Sequence, residues 1–232
     1  MIYVTADLHG YPLEKFQNLL KKAEFSDEDF LFILGDVIDR GEDGVEILKW
    51  LIEQPNVELL LGNHEAMLLA CSFLFEEVTD KSIERLTADG LKTLEAWRAN
   101  GGDVTIQALS KTRSSIRSEI FEYLRDCPLY DTVSIGDKNY LLVHGGLGNY
   151  QEGKKIKDYS PTELLWSRAH PSLRYSNRFI TILGHTPTCT YGDGHAGRIF
   201  KTDTWINVDT GSSFGFAPAL LRLDDMKEFY ID

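Results

Sequence analysis

Over the first 61 residues the apolar period alternates between the two residues of a strand and the 3.6 of a helix, and few folds accept that order. Ile2 to Ala6 is a short apolar run. After Pro12, the residues Leu13, Phe16, Leu19, Leu20 and Ala23 recur at helical spacing. Phe30 to Leu34 reads as a second strand, Val45, Leu48, Leu51 and Ile52 mark a second helix, and Val57 to Leu61 reads as a third strand. A period of two puts alternate side chains on opposite faces of a sheet, whereas the helical period gathers them on one face, so neither pattern can stand in for the other. The result is a β-α-β-α-β unit. Helical crossovers make such strands parallel and bring their carboxyl ends to one edge of the sheet, where open α/β folds bind ligands.

Charge is concentrated at that edge. The three runs are followed by "ADLHG" at 6 to 10, "GDVIDRG" at 35 to 41 and "GNHE" at 62 to 65. Strand-like runs return at 130–135, 140–143, 179–183, 205–208, 219–223 and 228–231, and two of them end in a histidine beside glycine, "LLVHGG" at 141 to 146 and "ILGHTP" at 182 to 187. Collected by strand end, the polar set is Asp7, His9, Asp36, Asp39, Arg40, Asn63, His64, His144 and His185. Any one of these alone reads as a turn or a helix cap. Together, at the same place after an apolar strand, they form a mixed oxygen and imidazole set without thiolate. That chemistry suits Mn, Fe, Zn or a similar divalent ion in five- or six-fold coordination rather than a closed structural zinc. His170 and His195 lack the strand-end context and read as surface residues.

The chain has 232 residues and is 43% hydrophobic, enough for a single domain over 1–232. Residues from about 66 to 125 read as a helical insertion, with Met67, Leu68, Cys71 and Leu74 on one stripe, Leu91, Leu94 and Trp97 on another, and a break at Asn100-Gly101-Gly102. A formal charge of −12 argues against a surface that binds nucleic acid by neutralising phosphates. An anionic substrate must then meet a local positive site, which bound cations can supply. Cys71, Cys127 and Cys189 are odd in number and scattered, so neither a disulfide framework nor a thiolate zinc site is expected. With no basic leader and no apolar run of membrane-spanning length, the expectation is a soluble cytoplasmic protein without a membrane partner.

The ordered motifs Asp-x-His-Gly, Gly-Asp-x-x-Asp-Arg-Gly, Gly-Asn-His-Glu, His-Gly-Gly and Gly-His resemble those of the calcineurin-like metallophosphoesterases. The similarity is greatest to the serine/threonine phosphoprotein phosphatase branch, in its small bacterial and phage lambda phosphatase type. It extends to "LLWSR" at 164 to 168 and "NVDTG" at 207 to 211 and is weakest between about 76 and 125. The resemblance implies an α/β fold, a metallophosphoesterase-type β-sandwich of mixed sheets flanked by helices. It also implies two divalent metal ions, manganese first among them: Asp7 and His9 on one, Asp36 bridging, and Asn63, His144 and His185 completing the other. A bridging water would be the nucleophile. His64 would be the general acid, Asp39 its carboxylate partner, and Arg40 and Arg168 a phosphate clamp. Ala6 stands where most relatives carry glycine before the first Asp, and the ligands remain.

By that resemblance the expected substrate is phosphoserine or phosphothreonine in a phosphorylated protein, since Asp39 and Glu65 fall on the protein-phosphatase side of the family pattern. Diadenosine tetraphosphate or another small phosphate ester is the alternative, followed by an RNA-end or cyclic phosphodiester, and by a non-catalytic metal-binding scaffold. The segment between about 76 and 125 is expected to shape the substrate rim. Trp97, Trp166 and Trp205 read as core.

Overall fold

The computed structural model describes residues 1–76 and 87–231. The first strands, β1 (Ile2–Thr5), β2 (Phe30–Ile33) and β3 (Val57–Leu59), alternate with helices α1 (Leu13–Lys22) and α2 (Gly44–Ile52). β1 pairs parallel with β2, Val4 opposite Phe32, and β2 pairs parallel with β3, Ile33 opposite Leu59. Two late strands, β9 (Leu220–Arg222) and β10 (Lys227–Phe229), complete this sheet in the order β10-β9-β1-β2-β3, with β9 antiparallel to β1. The second sheet has the order β4-β5-β6-β8-β7, built from β4 (Tyr130–Ile135), β5 (Lys138–Val143), β6 (Ile180–Leu183), β7 (Phe200–Lys201) and β8 (Trp205–Asn207). Within it β5, β6 and β8 run parallel.

The strand period decides what each face buries. Val4, Phe32, Leu34 and Leu221 of the first sheet meet Leu142, Ile182 and Ile206 of the second, forming the apolar layer between the sheets. Their neighbours Tyr3, Leu31 and Ile33 point the other way, against Phe16 and Leu19 of α1 and Ile47, Leu48 and Leu51 of α2. On the far side of the second sheet, Leu141, Val143, Leu183 and Trp205 bury Leu164 and Tyr175. The fold is thus a mixed-sheet sandwich with helices outside it.

Between β3 and β4 the described helices are α3 (Asn63–Ala70), α4 (Ala88–Ala99), α5 (Asp103–Lys111) and α6 (Ser114–Asp126). Trp97, Leu109, Ile120, Phe121 and Leu124 bury against the core that α1 and α2 share. Leu74 and Leu91, read as parts of apolar stripes, are instead exposed. Residues 77–86 of the segment expected to shape the substrate rim lie outside the described residues. Among the described residues no helix is long and apolar enough to cross a membrane, and the three cysteines are free.

Candidate metal centre and acid site

Because β1, β2 and β3 are parallel, as are β5, β6 and β8, the loops leaving their carboxyl ends meet along one edge of the sandwich. Backbone hydrogen bonds lock these loops together: Asp7 N–H donates to Gly35 O at 3.1 Å, His9 N–H to Asp36 O at 2.9 Å, and Gly184 N–H to His144 O at 2.8 Å. Asp7, His9, Asp36, Asp39, Arg40 and His185 all have positive φ, between 45° and 70°. A non-glycine residue in this region costs roughly 1–2 kcal/mol, and such strain concentrates at functional sites. Here it turns each side chain off its strand into a common space.

Asp36 lies at the centre, 1% exposed. Its Oδ2 is 3.7 Å from His9 Nε2 and 3.8 Å from His64 Nε2, while its Oδ1 is 3.5 Å from His144 Nε2. Two groups of side chains could each hold a cation through this shared carboxylate: His9, Asp36 and His64 on one side, and Asp36, His144 and His185 on the other. Asp7, expected with the first group, has Oδ1 4.0 Å from His9 Nε2, and its Oδ2 accepts the His185 backbone N–H at 2.8 Å. Asn63 Oδ1 lies 2.9 Å from His144 Nε2.

Three observations make this donor set suited to divalent cations. First, His144 Nδ1–H donates to Leu34 O at 2.6 Å, which leaves a lone pair on Nε2 facing the assigned amide oxygen of Asn63. An imidazole nitrogen and an amide oxygen at this spacing can both be ligands of one cation. Second, His185 Nε2 is buried with no hydrogen-bond partner among the described residues. Third, negative charge is crowded: burial, then Asp209 and Asp36, raise the Asp7 pKa well above the carboxylate range. Burial also keeps the imidazoles neutral and ready to donate lone pairs, lowering His9 to about 3 and, with His144 adding to it, His185 to about 2. For Asp36 burial acts in the opposite direction, but His144, His64, His9 and His185 outweigh it and hold the carboxyl below its usual range.

His64 turns its other nitrogen away from this centre. Nδ1 lies 2.5 Å from Asp39 Oδ2, which also accepts from Trp97 Nε1 at 2.7 Å, and Asp39 Oδ1 accepts from Thr105 Oγ1 at 2.5 Å. Burial would lower the His64 pKa, yet the charges of Asp36 and Asp39 raise it. Arg40 is exposed, with Nη1 3.0 Å from His9 Nε2 and Nη2 3.2 Å from His64 Nε2. Its Nε and backbone N–H bond to the carbonyls of Asn100 and Gly101, between α4 and α5.

Four residues beyond the expected set belong to this arrangement. Glu65 is fully buried and accepts backbone N–H groups from Asp36 at 2.8 Å, Val37 at 2.9 Å and Gly62 at 3.1 Å, holding two of the loops together. The sequence marked it only as a family feature. Trp97 and Thr105 reach Asp39 from a distant helical segment, and nothing local in the sequence foretells the contact. Asp209 was visible in principle: it follows the apolar run Trp205 to Val208, the same strand-end position as the others. Burial raises it to about 7.

All of this opens into a cleft of about 290 Å³ lined by His9, Asp36, Arg40, His64, Arg168 and Asp209, among others. Arg168 Nη1 donates to His185 O at 3.0 Å, which fixes the guanidinium at the cleft. Trp97 and Trp205 are buried as expected, but Trp166 is 44% exposed and joins Phe214 on the cleft wall, because the short helix α7 (Pro161–Leu165) ends just before it. His170 and His195 are exposed and lie outside the cleft.

The sequence model described as calcineurin-like phosphoesterase matches residues 1–206. Serine/threonine-protein phosphatase 2 of Salmonella typhimurium is 32% identical over 225 residues, covering 91% of this chain and 87% of that protein. The asymmetrical bis(5'-nucleosyl)-tetraphosphatase PrpE of Anoxybacillus flavithermus is 24% identical over 257 residues, covering 98% and 92%. A symmetrical bis(5'-nucleosyl)-tetraphosphatase of Chromobacterium violaceum is 39% identical over 101 residues, but that match spans 41% of this chain and only 36% of the relative. In fold, a cold-active protein-tyrosine phosphatase of a psychrophilic Shewanella superposes with a TM-score of 0.57 at 19% identity, covering 100% of this chain and 80% of that one. Strand-end motifs in order, two cation-suited clusters sharing one carboxylate and a match over most of the sequence lead to one conclusion: the chain belongs to the calcineurin-like phosphoesterase family of metal-dependent hydrolases.

Proposed function

We propose that the protein is a phosphomonoesterase acting on phosphoserine and phosphothreonine in proteins, with Asp7, His9, Asp36, Asn63, His144 and His185 holding two divalent cations, manganese by preference. Bound cations would polarise the phosphoryl oxygens and activate a water. The observation that carries the substrate reading is the buried Asp39–His64 pair at 2.5 Å. A serine alkoxide is a strong base and must be protonated as it leaves, whereas a nucleotide leaving from a phosphoanhydride is already a weak base. A site that devotes a carboxylate, an indole and a hydroxyl to one imidazole supports a poor leaving group. With Nδ1 on Asp39, His64 directs Nε2 toward Asp36 and the cleft, where its proton can pass to the departing oxygen. Arg40 and Arg168 bring fixed positive charge to that cleft in a chain of net charge −12, and their planar forks suit phosphate oxygens.

Hydrolysis of dinucleoside tetraphosphates is the second reading. The tetraphosphatase relatives favour it, as do the exposed rings of Trp166 and Phe214 on the cleft wall, which offer flat surfaces to a base. Turnover of a phosphothreonine peptide and of diadenosine tetraphosphate by the Mn²⁺-loaded protein separates the two. The expected result is faster metal-dependent release from the peptide, and a loss of about 10²–10⁴-fold on that substrate in His64→Asn, with a smaller loss on 4-nitrophenyl phosphate. Preference for the dinucleotide, together with equal losses on both esters, would replace the first reading by the second.

A further inference from the structure

Asp39 is fully buried, and every polar contact of its carboxylate comes from a side chain that could have been apolar if packing were the only requirement. Oδ2 receives the Trp97 indole N–H at 2.7 Å beside His64 Nδ1, and Oδ1 receives the Thr105 hydroxyl at 2.5 Å. The Thr105 oxygen in turn accepts the backbone N–H of Asp39 at 3.1 Å, closing a ring around the residue. Trp97 is 0% and Thr105 2% exposed, so water does not compete for these bonds. Both lie far along the chain, 58 and 66 residues from Asp39.

We infer that Trp97 and Thr105 are positioning residues for the acid half of the site: they hold the Asp39 carboxylate in the orientation in which it binds His64. The inference rests on the proposed role of His64 as the group that protonates the leaving oxygen. The chemistry of the donors supports it. An indole N–H and an aliphatic hydroxyl keep their protons throughout the working pH range, so they hold Asp39 without exchanging a proton with it, while His64 keeps Nδ1–H on Asp39 and delivers only the proton on Nε2. With both oxygens occupied, Asp39 cannot swing toward the Arg40 guanidinium or the cations instead. The ring of His64 is then fixed by a bond at Nδ1, and Nε2 keeps its aim into the cleft. On this account the segment between β3 and β4 helps to build the acid site in addition to flanking the substrate.

The test compares Thr105→Val, Thr105→Ser, Trp97→Phe and His64→Asn, each Mn²⁺-loaded, for turnover on phosphoserine and on 4-nitrophenyl phosphate. Metal content is measured alongside. In Thr105→Val and Trp97→Phe the ratio of phosphoserine to 4-nitrophenyl phosphate turnover should fall about tenfold to a hundredfold with metal content retained, the scale of lost outer-sphere contacts. Thr105→Ser should restore it, since the hydroxyl returns while the methyl does not. With Mg²⁺ in place of Mn²⁺, the far-downfield proton resonance of His64 Nδ1–H should be lost or shifted in Thr105→Val, a readout independent of turnover. If His64→Asn lowers the ratio while neither positioning variant does, and the resonance is unmoved, the inference is wrong and the acid role stands. If His64→Asn itself leaves the ratio unchanged, the acid role is wrong. Should one variant fail to fold, the other and the resonance decide.

Discussion

Asp36 and Glu65 show how two carboxylates a few ångströms apart do different work. Asp36 faces imidazoles on both sides, so its charge would serve any cation those imidazoles held. Asp36→Asn should therefore reduce the affinity of at least one cation by about tenfold or more, as titration calorimetry would read, and abolish metal-dependent turnover. Full metal content with near wild-type turnover would remove Asp36 from the bridging role. Glu65 faces backbone N–H groups instead. Glu65→Gln sets an amide NH₂ against some of those donors, and a buried donor left unmatched costs about 1–3 kcal/mol. The expected outcome is a lower melting temperature together with weaker metal binding; an unchanged melting temperature would show that the loops do not depend on this carboxylate. Motif spacing made the Asp36 position legible. It could not reveal the Glu65 bonds to Asp36 and Val37, because those partners stand 29 and 28 positions earlier in the chain.

Strand ends are the elements that build the site, and glycine lets them approach one another. A Cβ on Gly184, directly after β6, would lie 2.2 Å from Asp7 Oδ2 and 2.7 Å from Ala6 Cβ. A Cβ on Gly62, before α3, would lie 2.2 Å from Asp36 Oδ1. Ala6 is tolerated after β1 because the loop opposite it, at Gly184, has no side chain. Gly184→Ala should then push Asp7 off its position and weaken cation binding, which calorimetry would detect as a reduced affinity or a lost site. Wild-type affinity in that variant would mean that the two loops can separate at no cost. That β1, β2 and β3 run parallel followed from the alternation of strand and helix periods, and their order in the sheet did not. That β9 and β10 return to flank β1 did not, because short apolar strands carry no record of which edge they join.

For the whole molecule, the site lies where the two sheets meet, and its side chains come from both. Cations held there would join the sheets, so binding should stabilise the native state by mass action, about 2.7 kcal/mol at a hundredfold excess over Kd. Calorimetric melting with Mn²⁺ and with a chelator should give a higher transition temperature in the metal. Identical transitions would mean that the cations are not held between the sheets. By itself, the sequence determined the alternation of elements, the parallel strands at the start and the polar residues at five strand ends, because hydrophobic period and motif order are local properties. Only the tertiary structure decided that Trp97 and Thr105 bind Asp39, that Glu65 ties two loops, and that Trp166 faces the cleft. Those contacts join residues far apart in the chain, and a buried hydrogen bond is specified by where two elements come to rest against each other, which no local pattern encodes.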